Sequence, residues 1–164
     1  MKLLVIGDIH IPGRADELPQ KFLERSRSCD LIICTGDITD ETVLEQLMES
    51  CAVHAVRGEE DYMDLPEQDL ISVEDMKFGV IHGHQVEKTE DEGDVIDELV
   101  EMAELLGADV LVTGHTHMPF RTDKDGTVLL NPGSATGIDS DKKTCMYVEV
   151  EGTDMVSCEI LTSE

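Results

Sequence analysis

Tryptophan is missing from this chain, and the other aromatics are few: two tyrosines and three phenylalanines among 164 residues. Stacking of bases on aromatic side chains, a common way to hold single-stranded nucleic acid, has little to work with here. Basic residues are scarce as well. Twelve Lys and Arg stand against 37 Asp and Glu, a formal net charge of −25. Direct binding to nucleic acid or to an anionic membrane surface calls for the opposite sign. Such acidity suits a very soluble protein, and high salt would screen its self-repulsion. No apolar run approaches the ~20 residues that span a bilayer. The opening Met1-Lys2-Leu3-Leu4-Val5-Ile6 starts like a secretory signal. Its apolar stretch stops at Gly7-Asp8, short of the roughly 7–15 apolar residues of such a peptide, so it reads as a β-strand. The five cysteines, Cys29, Cys34, Cys51, Cys145 and Cys158, are odd in number and form no Cys-x-x-Cys pair. That argues against a disulfide framework and a thiolate zinc site, and for small buried hydrophobes in a reducing, cytoplasmic setting.

What is present fits one globular domain spanning 1–164, large enough to bury a core without disulfides or metal. Short β-branched runs alternate with helical patterns. Residues 3–6, 31–34 and 53–56 read as strands. Between them, 17–27 carries Leu18, Phe22 and Leu23 at helical spacing, and Asp40 is placed to cap a helix holding Val43, Leu44, Leu47 and Met48. This β-α-β-α-β opening suggests a mostly parallel, covered sheet in an α/β fold. Residues 70–73 and 78–81 read as strands around a polar turn at 74–77. Residues 94–106 form the clearest helix, with Gly107 where a C-cap belongs. A strand at 109–112 follows. The remainder reads mainly as β, at 128–130, 146–150 and 155–160, punctuated by Asp125-Gly126 and Gly152. The acidic segment 89–92 reads as a solvated loop.

The chemistry lies just beyond the strands. Gly7-Asp8-Ile9-His10, Thr35-Gly36-Asp37, Arg57-Gly58-Glu59-Glu60-Asp61, His82-Gly83-His84 and Gly114-His115-Thr116-His117 each follow an apolar strand. In open α/β sheets, functional groups gather beyond the carboxyl ends of strands. Asp8 and His10, two apart, project to one side of extended backbone. Imidazole and carboxylate together form a ligand set for Mn, Fe, Zn, Co or Ni. The candidate metal ligands are Asp8, His10, Asp37, Glu59, His82, His115 and His117. Seven are too many for one tetrahedral ion with an open position. They suit two divalent ions sharing a bridging carboxylate, about 3.5–4 Å apart, able to bind a phosphate and hold a hydroxide for in-line attack.

Asp-x-His, Gly-Asp, Arg-Gly-x-x-Asp, His-Gly-His and Gly-His-x-His, in that order, resemble the calcineurin-like metallophosphoesterase superfamily. Gly7 to Pro12, Ile81 to Val86, Gly114 to His117 and the run Asn131-Pro132-Gly133-Ser134-Ala135-Thr136-Gly137 are most similar to its small single-domain branch. That branch holds the YfcE-type phosphodiesterases and the vacuolar protein sorting subunit of retromer. The resemblance spans nearly the whole chain. It implies a four-layer α-β-β-α sandwich of two mixed β-sheets, with a dinuclear metal site at the strand C-terminal ends. It implies Asp8, His10 and His117 on one ion, His82 and His115 on the other, and Asp37 between them. Two positions depart from the family pattern. Glu59 stands where the enzymes usually carry Asn, although the retromer relative also has an acid there. Glu60, a carboxylate near neutral pH, stands where many members carry a His that assists the leaving group. Asp61 is placed to orient a ligand from behind.

Three further residues complete the reading. His84 is a candidate catalytic or substrate-facing group. Arg57 is a candidate phosphate contact, with pairing to a carboxylate as its alternative. His54, within a strand, reads as structural. The expected activity is hydrolysis of small phosphodiesters or phosphomonoesters with two divalent ions, Mn first and Ni, Fe, Co, Zn or Mg as alternatives. The competing expectation is a scaffold like the retromer subunit, weakly active or inactive. A homo-oligomer is left open.

Overall fold

A computed structural model of the chain describes residues 1–86 and 91–164. The sequence expectation for 89–92 falls partly outside them. Within them, Asp91 caps the third helix by accepting the Gly93 N–H, and Glu92 opens that helix.

Thirteen elements follow one another among the described residues. β1 (Lys2–Ile6), β2 (Leu31–Cys34) and β3 (Ala52–Ala55) alternate with α1 (Gln20–Ser26) and α2 (Glu41–Met48). β4 (Gln68–Val73) and β5 (Met76–Ile81) form a hairpin, followed by α3 (Glu92–Leu106) and β6 (Val110–Val112). β7 (Phe120–Lys124), β8 (Thr127–Asn131), β9 (Lys143–Glu151) and β10 (Asp154–Ser163) complete the chain. One five-stranded sheet runs β10-β9-β1-β2-β3 and the other β4-β5-β6-β8-β7. Both are mixed. β1, β2 and β3 are parallel in the first, and β5, β6 and β8 in the second. Antiparallel strands flank each parallel set. The mostly parallel sheet expected from the first half is therefore extended by hairpins.

Side-chain alternation builds the layers. Leu3 and Val5 of β1 and Leu31 and Ile33 of β2 face the other sheet, packing with Phe78, Val80, Val110 and Val112. Leu4, Ile6, Ile32 and Cys34 face the opposite way, onto Phe22 and Leu23 of α1 and Val43 and Leu47 of α2. On the second sheet, Ile81, Leu111 and Leu129 meet Leu99, Val100 and Ala103 of α3. Strands covered on both faces read as continuous apolar runs, which is why 3–6 and 31–34 carry no polar residue. The result is the four-layer α-β-β-α sandwich.

Local differences from the sequence reading have local causes. α1 starts at Gln20 because Pro19 occupies its N-cap and keeps Leu18 out of helical backbone. β3 runs one residue earlier than its apolar core suggested. β7 was not anticipated: Phe-Arg-Thr-Asp-Lys is too polar to read as a strand, yet it pairs with β8 across Asp125-Gly126. Those two residues take φ of 53° and 84°, as a tight hairpin turn demands. α2 and α3 carry the caps expected of Asp40 and Gly107. All five cysteines are free thiols, and Cys29, Cys34 and Cys145 are buried in the core.

Candidate metal centre

Parallel strands leave the sheets at the same end, and their following loops converge there. Asp8 and His10 come from β1, Asp37 from β2, and Glu59 to Asp61 from β3. His82 and His84 come from β5, and His115 and His117 from β6. Among the described residues, seven of the nine non-glycine residues with positive φ lie in this small region: Asp8, His10, Asp37, Thr39, His115, His117 and Asp139. Each such residue costs on the order of 1–3 kcal/mol and persists only where its surroundings hold it.

The surroundings are identifiable. Asp61, buried, accepts four backbone N–H groups, from Asp37 and Gly58 on one oxygen and from Ile38 and Thr39 on the other, each at 2.8 Å. Glycine is required beside it: a Cβ on Gly58 would lie 2.1 Å from Asp37 Oδ1. The 131–137 segment holds the β1 loop. Ser134 Oγ donates to the Asp8 carbonyl and Thr136 Oγ1 to that of Ile9, both at 2.8 Å. Asn131, wholly buried, donates to the Gly114 carbonyl at 2.9 Å and to Thr116 Oγ1 at 3.1 Å, tying down the Gly-His-Thr-His turn.

Within this frame the imidazoles are fixed by their Nδ1 atoms. His82 Nδ1 donates to the Thr35 carbonyl at 2.7 Å, which leaves its Nε2 as the lone-pair nitrogen. His10 Nδ1 meets Glu60 Oε2 at 2.8 Å, and His117 Nδ1 meets Asp139 Oδ2 at 2.9 Å. A carboxylate or carbonyl behind a histidine is the usual arrangement that aims its other nitrogen at a metal. The aimed nitrogens converge. His10 Nε2 lies 3.3 Å and His82 Nε2 3.2 Å from the same oxygen, Asp37 Oδ2. Both Nε2 atoms are buried and make no hydrogen bond. Atoms so placed suit ligands sharing an ion rather than bonding to each other. Two clusters have the reach to hold one: Asp8, His10 and His117, and Asp8, Asp37 and His82. Asp8 is common to both. His115 Nδ1 and Glu59 Oε2 face each other at 3.7 Å on the solvent side.

The electrostatics match. Burial pushes the Asp8 carboxyl up to about 6, despite the opposing pull of His82 and His117. Burial also acts on Asp37, but the His82 ring and the Glu60 N–H outweigh it and bring its pKa down to about 2. Desolvation disfavours charge on His82, yet the adjoining Asp37 and Asp8 carboxylates raise its pKa. A buried carboxyl with a raised pKa beside a cluster of unused nitrogens has the donors to hold a cation.

Residues 1–153 match the calcineurin-like phosphoesterase superfamily domain. The chain belongs to that family. It is 40% identical over 151 residues to a probable metallophosphoesterase of Methanocaldococcus jannaschii, covering 92% of this chain and 77% of the relative. It is 36% identical over 155 residues to a probable metallophosphoesterase of Methanothermobacter thermautotrophicus, covering 93% and 87%. Among solved structures, a wild-type Vps29 of Entamoeba histolytica complexed with zinc is similar over 99% of both chains, with 32% identity and a TM-score of 0.84.

The loops of this family member gather all seven expected ligands, although Glu59 and His115 stand outside the two tight clusters. His84 lies beside them, its ring centroid 5.4 Å from that of His82 and 6.4 Å from that of His115. Arg57 is not brought in: its guanidinium pairs with Glu67, and its backbone N–H donates to Pro66. His54 bonds Asp69 at 2.8 Å, away from the cluster. Asp139 was missed. One Asp among 37 acidic residues, in no motif, gives no signal in sequence.

Two predictions follow from this geometry. In Asp61→Asn the amide nitrogen faces backbone donors, so stability should fall by about 2–4 kcal/mol in urea unfolding, with Mn2+ affinity about 10–100-fold weaker. An ion must also displace a proton from Asp8 wherever that carboxyl is protonated. Calorimetric Mn2+ affinity should therefore weaken as pH falls, first as His82 and then as Asp8 take up protons, by at least about tenfold per pH unit below pH ~6; a flat profile would exclude both as ligands.

Proposed function

We propose that this phosphoesterase is a two-ion phosphodiesterase, with residues 1–164 acting as one domain. Family membership supplies the coarser part, metal-dependent phosphoester hydrolysis. The observation that carries the finer part is the position of Asp37 Oδ2 between His10 Nε2 and His82 Nε2, at 3.3 and 3.2 Å. In this reading Asp8, His10 and His117 hold one ion, His82, His115 and Glu59 the other, and Asp37 bridges. Mn2+ is the first candidate, and the zinc in the Entamoeba relative fits the same nitrogen and oxygen donors. Bound ions would neutralise the phosphoryl oxygens and lower the pKa of water.

The remaining work falls to the chain. Glu60, Asp139 and the Thr35 carbonyl keep His10, His117 and His82 presenting Nε2. His84 is the candidate donor to a phosphoryl oxygen, since its ring stands beside those of His82 and His115. Arg57, engaged by Glu67, is left out of phosphate binding. Glu60 is engaged by His10 and stands where a proton-donating His would be, so leaving groups must depart without help from it. Glu59, Glu60 and Asp139 line the mouth together. Their charges disfavour a dianionic monoester more than a monoanionic diester.

The test uses metal-stripped protein with bis-p-nitrophenyl phosphate and p-nitrophenyl phosphate, with Mn, Ni, Mg, Zn or no metal. Metal-dependent turnover is expected, faster on the diester, and at least about a hundredfold lower in Asp37→Asn. Folded protein that binds two ions yet turns over neither substrate would contradict the enzyme reading and favour the scaffold.

A further inference from the structure

Among the described residues, a second cleft adjoins the one over the candidate metal centre. The first, of about 560 Å³, is lined by Glu59, His115, His117 and Asp139. The second, of about 550 Å³, is lined by Pro12, Gly13, Arg14, Thr39 and Tyr62. His10 and Glu60 line both. The two spaces therefore share His10 and Glu60 as a wall. A phosphodiester has two alcohol arms on one phosphorus, and when the phosphorus sits in the first cleft the second lies beside it to take one arm.

The walls differ in character. The first cleft carries the carboxylates of Glu59 and Asp139 and, among the described residues, no Lys or Arg. The second carries Arg14, whose guanidinium makes no ion pair among the described residues. It also carries Tyr62, which is 97% exposed. The other four aromatic residues, Phe22, Phe78, Phe120 and Tyr147, are buried or half-buried. Tyr62 is bare because its neighbours are anchored. Asp61 is locked beneath the Asp37 loop, and Met63 packs on the core, so the residue between them must face out. The floor is equally fixed. Thr39 Oγ1 donates to the Ile11 carbonyl, and the Arg14 N–H closes a turn onto the His10 carbonyl at 2.8 Å.

We propose that this second cleft is the subsite for one arm of the phosphodiester, and that it takes a planar aromatic arm laid against Tyr62. Arg14 at its side serves an acceptor or negative charge on the same arm. A single ring-sized platform suits one aromatic group rather than a polymer of bases, in keeping with the charge of the chain. The proposal rests on the phosphodiester reading and adds which arm is recognised and by what.

The test is calorimetric binding of two monoanions to the Mn2+-loaded protein: dimethyl phosphate, and methyl phenyl phosphate, which differs in having one aromatic arm. Wild type should bind the phenyl compound at least about fivefold more tightly, the range of one ring stacked on an aromatic side chain. Tyr62→Ala should remove that advantage and leave dimethyl phosphate binding within about twofold, which also reports that the centre is intact. Tyr62→Phe should keep the advantage, because the ring face and not the hydroxyl makes the contact. Equal binding of the two compounds by wild type, or an advantage that survives Tyr62→Ala, overturns the subsite and leaves the phosphodiester reading standing. Failure of both compounds to bind at all overturns both.

Discussion

The centre depends on one buried carboxylate that is not itself a metal ligand. Asp61 takes four backbone N–H groups onto its two oxygens and so fixes the loop after β2. Asp37 sits on that loop at φ 51°, a conformation that a free chain avoids. Hydrogen bonds to a charged acceptor contribute roughly twice as much as neutral ones, and four together offset the strain of Asp37 and Thr39. Removing them would leave the Asp37 oxygen free to move away from the two imidazoles it now separates.

The same logic recurs around the site. Parallel strands bring five loops to one end, but loops alone do not fix atoms to a few tenths of an ångström. Here three of the histidines are held from behind, by a carbonyl for His82 and by carboxylates for His10 and His117. Backbone carbonyls of Asp8 and Ile9 are held by the hydroxyls of Ser134 and Thr136. The strain concentrated at these residues is the cost of aiming donors at points where nothing in the protein itself sits. A cation there relieves the repulsion between buried carboxylates and uses the orphaned Nε2 lone pairs.

Much of this was legible in the sequence, and for a physical reason. Candidate metal ligands are recognised by residue type and loop position, and Asp8, His10, Asp37, His82, His115 and His117 stand in compact motifs with glycine beside them. Asp61 and Asn131 were also visible, being tied to the same motifs. Residues that act through a single contact from a distant loop were not. Asp139 reaches His117 across 22 positions and looks like any other acidic residue until the chain is folded. Tyr62 shows its exposure only in three dimensions. β7 was hidden because an edge strand with polar alternation lacks the apolar run that marked the covered strands, while Asp125-Gly126 marked only its turn.

Glu59 and Glu60 give this family member its own character. One faces His115 and the other holds His10, so the substitutions that set the chain apart from the usual enzyme pattern are built into the centre. They make its mouth acidic, so whatever approaches it must carry little negative charge or bring it to the Arg14 side. The central claim is that Asp37 lies between two ions. Anomalous diffraction from crystals equilibrated with Mn2+ tests it directly. Two peaks about 3.5–4 Å apart are expected, one beside His10 and His117 and one beside His82, both in contact with Asp37. A single peak, or two peaks that Asp37 does not touch, would contradict it.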